Sequence, residues 1–193
     1  MATQEQIDDL FAKMTEERAR LLALAEGLNE EQALFVPENA EGEAQWTAKE
    51  QLAHLASMET SYRAWVEKAL AEDEPDVSTA VPNRPAIALE EANKHSLAEL
   101  VAELRGQREK TLAMMRGLAP EQYERKGSNR LFGSLTVMQW LRSYYRHDRM
   151  HVDQISGRVS DCKPRWAEGM GEPDQRRPPG SPLVGRGGSG DRR

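Results

Sequence analysis

Tyr144-Tyr145-Arg146-His147-Asp148-Arg149-Met150-His151 is the segment from which this chain is best read. It lies in a run from about 136 to 158 whose large apolar residues Val137, Trp140, Leu141, Tyr144 and Ile155 recur at helical spacing. His147 and His151 are four apart, so both imidazoles leave one side of that helix, on or beside the face that must be buried. A buried imidazole needs a partner, because an unpaired polar group in an apolar interior costs about 1–3 kcal/mol. Two at this spacing can share a divalent cation. By itself the HxxxH pattern is equally readable as two core histidines bonded to backbone or to a carboxylate.

Three further helices lead up to this one. Thr3 with Gln6, Thr47 with Glu50, Ser96 with Glu99 and Thr136 with Gln139 form four capping boxes, each opening an amphipathic run. Helix one carries Ile7, Leu10, Phe11, Met14, Leu21, Leu22, Ala25 and Leu28 on one face. Arg18 falls where that face continues; its stem is expected to pack while its head reaches the rim, the sharper alternative being an anion clamp. After a connection from about 29 to 46, broken by Pro37 and Gly42, helix two places Leu52, His54, Leu55, Met58, Tyr62, Trp65 and Ala69 inward. A long link over 72–95 contains Pro75, Pro82 and Pro85, with a short helical piece expected over Leu89–Lys94 and an exposed His95 at its end. Helix three stops near Gly117, ahead of Pro120, and a loop with Gly127, Ser128, Asn129 and Gly133 leads to helix four. No strand pattern or internal repeat is evident. The expected fold is all-α, a four-helix bundle over residues 1–162.

Height along the bundle tests whether the histidines meet. His54 stands roughly 10 Å above the start of helix two, and His151 roughly 10 Å from the end of helix four near Arg158. Antiparallel packing of helices two and four brings His54, His147 and His151 to one level; parallel packing leaves His54 out of register by roughly 6–12 Å. The 72–95 link is long enough to cross the bundle and set helix three parallel to helix two. Link length and histidine height therefore favour the same up-down-down-up topology.

Composition narrows the classes. Among 193 residues, 38% are hydrophobic and 30% charged, which fits a helical protein with solvated faces. No apolar run approaches the ~18 residues of a membrane span, and the acidic start, with Glu5, Asp8 and Asp9, lacks the order of a signal peptide. The single cysteine, Cys162, excludes an internal disulfide and fits a reducing cytoplasm. Of the net charge of −6, seven basic and four acidic residues lie from Lys163 onward, leaving −9 for 1–162 and no nucleic-acid grip by the folded domain. Residues 163–193, rich in Pro, Gly and Arg, are expected to be a disordered tail; their RGG-like piece could touch RNA, but an inert extension is favoured.

Two motifs, Trp46-Thr47-Ala48-Lys49-Glu50-Gln51-Leu52-Ala53-His54-Leu55 and His147-Asp148-Arg149-Met150-His151-Val152-Asp153-Gln154-Ile155, resemble the paired motifs of the DinB-like superfamily, and the layout over roughly 1–160 does too. The resemblance implies a crossover bundle holding a divalent metal, zinc or nickel, on His54, His147 and His151. It also implies, for some members, thiol-dependent transferase or isomerase activity with bacillithiol, mycothiol or glutathione. The expected function is thus a metal-dependent thiol S-transferase or related small-molecule metalloenzyme, acting alone or as a homodimer. The alternative is a metal- or ligand-binding bundle without turnover. Three neutral imidazoles leave a coordination position open, as in catalytic sites. Tyr62 and Tyr144 line a pocket or simply pack, and Asp148 either orients a ligand or pairs with Arg149 at the rim. A metalloprotease of the HExxH type is excluded, because Asp148 stands where its glutamate would be.

Overall fold

The computed structural model describes residues 1–38 and 40–171. The expected tail lies mostly outside the described residues. Its opening, however, runs back against the body, with Ala167 N–H donating to Leu131 O at 2.8 Å and Trp166 stacked on Phe132.

Four long helices carry the fold: α1 (Gln4–Glu26), α3 (Ala48–Ala71), α4 (Leu97–Arg116) and α5 (Val137–Ile155). Each begins at the expected Thr or Ser, whose hydroxyl accepts from the third helical N–H while the Gln or Glu there returns the bond. These boxes satisfy otherwise orphaned amides and fix where every helix starts. A one-turn helix, α2 (Glu30–Leu34), follows α1 with its own box from Asn29 and Gln32, and a 3-10 turn over Gly42–Gln45 leads into α3.

Side-chain pairs give the helix directions. Trp65 meets Trp140, Tyr62 meets Tyr144 and His54 meets His151, so α3 and α5 are antiparallel. Glu59 pairs with Arg108 and Arg63 with Thr111, while Glu50 and Thr47 bond Asn93 just ahead of α4; α3 and α4 are parallel. Arg18 reaches Leu104 O and Arg108 reaches Met14 O, which sets α1 against α4. The link between α3 and α4 returns the chain along the bundle, and its Leu89–Lys94 piece is a 3-10 helix.

The absence of strands in the sequence reading is corrected. Residues Lys126–Asn129 (β1) and Gly133–Thr136 (β2) form an antiparallel hairpin that braces the end of α3 against the start of α5. Its composition, KGSN and GSLT, is poor in strand formers, so the pairing comes from tertiary contacts: Ser128 N–H donates to Pro75 O at 2.8 Å. Gly127 lies so close to Val77 that any Cβ there would overlap that side chain.

The core is split in two. One apolar cluster gathers Leu10, Met14, Tyr62, Val66, Met115, Trp140 and Tyr144; the other gathers Leu21, Leu52, Leu55, Leu100 and Leu104. Between them lies a charged layer with one residue from each long helix: Arg18, Glu59, Arg108 and Asp148, all at most 4% exposed. Arg18 therefore does not reach the rim, because Glu59 at 2.5 Å and Asp148 at 2.9 Å hold its guanidinium inside. Asp148 corrects both of its expected roles as well: it neither pairs with Arg149 nor orients a histidine, but accepts from Arg18 and Arg108. Burial would raise both carboxyls, yet the two guanidinium groups hold Glu59 and Asp148 below their ordinary values.

Candidate metal centre

One turn from the charged layer, on the seam of α3 and α5, the three predicted histidines converge. Their rings stand 4.7–5.6 Å apart between centroids. The antiparallel seam achieves this by placing residue 54, seven past its cap, opposite residues 147 and 151 near the other helix's end. His95 stays away, at the bundle surface beside Glu99.

A fourth residue joins them that the sequence reading missed. Glu43, on the 3-10 turn before α3, points its carboxylate into the three rings. Its Oε1 lies 3.1 Å from His54 Nε2, and its Oε2 lies 3.3 Å from both His147 Nε2 and His151 Nε2. The two α5 histidines bring their Nε2 atoms to 3.1 Å of each other. One ligand atom from each of the four residues falls within a 4.8 Å span. Glu43 is one of five glutamates between residues 29 and 46, in a connection without periodicity, so no sequence pattern singles it out. The nearest signal is Gly42, read only as a helix breaker; at φ +56° it takes the left-handed conformation glycine favours and starts the inward turn.

Neighbouring residues set the rings. Gln51, 2% exposed, accepts from His151 Nδ1 at 2.9 Å and donates to Trp46 O at 3.1 Å. An amide oxygen can only accept, so His151 carries its proton on Nδ1 and turns a bare Nε2 lone pair to the centre. Trp46 packs its ring 4.8 Å from that of His54. Burial pulls His151 down to about 4 despite its contact with Glu43, and it lowers His54 too. Both rings are therefore neutral near pH 7, the form that ligates. Burial alone would raise Glu43, but contacts with His147, His151 and His54 hold it well below the usual carboxylate range.

The donor set, three imidazoles and a carboxylate, is one that could hold a divalent cation. Although His54 Nε2 is 3.1 Å from Glu43 Oε1, it makes no hydrogen bond among the described residues. Atoms this close, with lone pairs turned to a common point, are disposed as the edges of a coordination sphere. Four ligands about 2.0 Å from a tetrahedral zinc stand about 3.3 Å apart; four of the contacts here lie at 3.1–3.3 Å, while the whole set spans 4.8 Å. Beside the cluster, His147, Tyr62, Tyr144, Leu55 and Met58 line a cavity with room for about one water, floored by the charged layer. Both readings of the tyrosines hold: they pack on each other, 5.0 Å between centroids, and they line this cavity. Burial raises both phenols well above the ordinary value, so neither is a ready base.

Comparison with known proteins agrees with this picture. The model of the DinB superfamily matches residues 13–155, and the chain belongs to that superfamily. A solved structure with the same fold is that of YfiT from Bacillus subtilis, described as a probable metal-dependent hydrolase with an unusual four-helix bundle topology. It is 20% identical, with a TM-score of 0.65 over 81% of this chain and 87% of that one. No curated protein matches the sequence. No helix among the described residues is long and apolar enough to cross a membrane.

Proposed function

We propose that the chain binds one divalent cation through His54, His147 and His151 and uses it in nucleophilic chemistry on a small molecule, with a low-molecular-weight thiol as the nucleophile. The observation that carries this reading is the convergence of three buried imidazoles from two helices on one point, where Nε2 of His54 makes no hydrogen bond. Zinc or nickel suits imidazole donors. When bound, such a cation lowers the pKa of a coordinated thiol or water and so supplies a nucleophile at neutral pH.

The protein's own residues do the rest. Gln51 fixes the tautomer of His151 and orients its ring. The charged layer ties α5 to α1 and α4 through Asp148, one turn from His151. Leu55, Met58, Tyr62 and Tyr144 give the adjoining cavity a largely apolar wall. A second reading, hydrolysis with water as nucleophile, draws support from that cavity's size, which admits about one water.

Metal analysis of the purified protein, native and His54→Ala, tests the site. Stoichiometric zinc or nickel is expected in the native protein and its loss in the variant; a native protein without bound metal overturns the reading. A panel of thiols and electrophiles, run with the zinc and nickel forms, then separates transfer from hydrolysis. A loaded protein inert to the whole panel is a binding module.

A further inference from the structure

Three imidazoles alone leave a position free on a four-coordinate cation. In this chain the carboxylate of Glu43 stands beside all three imidazoles. We propose that Glu43 is the fourth ligand, so that the resting centre is a closed set of three imidazoles and one carboxylate and an entering molecule has to displace it. This rests on the cation site argued above and adds to it the state of the vacant position.

Three observations carry the inference. The first is distance: Glu43 approaches Nε2 of all three histidines at 3.1–3.3 Å, with Oε1 toward His54 and Oε2 toward His147 and His151. Between them the two oxygens meet all three Nε2 atoms, as a ligand of a shared cation would, and only the contact with His147 is a hydrogen bond. The second is orientation. His151 has a bare Nε2, fixed by Gln51, so its 3.3 Å approach to Glu43 sets lone pair against lone pair; His54 Nε2 makes no hydrogen bond at 3.1 Å. The His151–Glu43 contact is repulsive between the two atoms alone and favourable around a shared positive charge. The third is charge. A dication held by neutral imidazoles keeps its full charge in a site where His151 is wholly buried, and burying an uncompensated charge is strongly unfavourable. One carboxylate in the sphere halves that charge.

The local fold allows Glu43 to be both well placed and removable. Its turn is anchored after it, where Trp46 is 2% exposed and its carbonyl accepts from Gln51. Ahead of it stand Gly42, in the left-handed conformation, and Glu41, which gives the turn no side-chain cap.

The test uses the full chain loaded with cobalt(II), whose visible absorption reports coordination number, together with Glu43→Gln and Glu43→Ala. The wild type is expected to give the intense bands of a four-coordinate centre. Both variants should bind cobalt about tenfold or more weakly in chelator competition. Azide should perturb Glu43→Ala at concentrations about tenfold or more below those needed for the wild type. Equal cobalt affinity in wild type and variants, or a wild type that takes azide as readily as Glu43→Ala, overturns the proposal. If neither variant folds by circular dichroism, the wild-type azide titration decides alone, since a spectrum that shifts at low azide means an open position. A wild type that takes up no cobalt refutes the cation site itself, which is a different failure.

Discussion

Gln51 shows how much a single side chain governs here. Its amide oxygen sets the proton on His151, and its amide nitrogen ties the same helix to the carbonyl of Trp46, three residues past Glu43. Replacing it with leucine keeps the volume but removes both bonds. His151 is then free to place its proton on Nε2, the atom that must ligate. Gln51→Leu should therefore weaken metal binding about 10–100-fold, as outer partners of ligating histidines commonly do. Chelator competition reads the affinity, and nitrogen-15 shifts of the imidazoles read the tautomer. An unchanged affinity with Nδ1 still protonated would show that the ring needs no help from Gln51.

The elements owe their ends to short-range chemistry, and the site depends on one of those ends. Thr47 caps α3, is fully buried, and its hydroxyl also donates to Asn93 Oδ1 at 2.7 Å. Glu50 completes the box and accepts from the Asn93 amide. The cap thus fixes at once the start of α3, the docking of the crossover link and the distance from Glu43 to His54. Thr47→Ala should cost about 1–2 kcal/mol in urea unfolding, near the upper end for a lost cap. Thr47→Ser should recover most of that, since serine caps as well as threonine; a serine variant as weak as alanine would mean that the methyl group matters more than the hydroxyl.

Across the whole molecule, the charged layer is what all four long helices have in common. Two guanidinium groups and two carboxylates share at least six hydrogen bonds among themselves, and the two arginines reach the carbonyls of Leu104 and Met14 as well. Removing one partner strands buried charge, so Asp148→Asn should destabilise the protein by about 3–5 kcal/mol at neutral pH. The sign with pH is fixed by the lowered carboxyl of Asp148. Its contribution is complete above the ordinary value of 3.8 and is lost as the pH falls through the still lower folded-state value. The stability gap between wild type and Asp148→Asn should therefore be widest near pH 7 and close in acid, as thermal melts from pH 7 to 3 would show. A gap that does not begin to narrow as the pH falls below the ordinary value would trace to packing instead of charge.

Much of this architecture was legible in the chain. Capping boxes are local, involving residues three apart, so four helix starts could be read directly, and helical spacing then gave their inner faces. The direction of α4 followed from the length of a proline-broken link, and the heights of His54, His147 and His151 followed from rise per residue. What escaped depends on approach between segments distant in sequence. The hairpin of Gly, Ser and Asn residues pairs because α3 and its link hold it, and its strands carry no pattern. Arg18 and Asp148 looked like rim residues because each has its countercharge on another helix, where periodicity cannot see it. Glu43 was one glutamate among several in an irregular connection until the turn brought it against the rings. Sequence by itself determined the helices, their order and the three imidazoles, since those rest on bonds within a few residues; tertiary structure alone chose the carboxylate that meets them, because that choice is made by packing across more than a hundred residues.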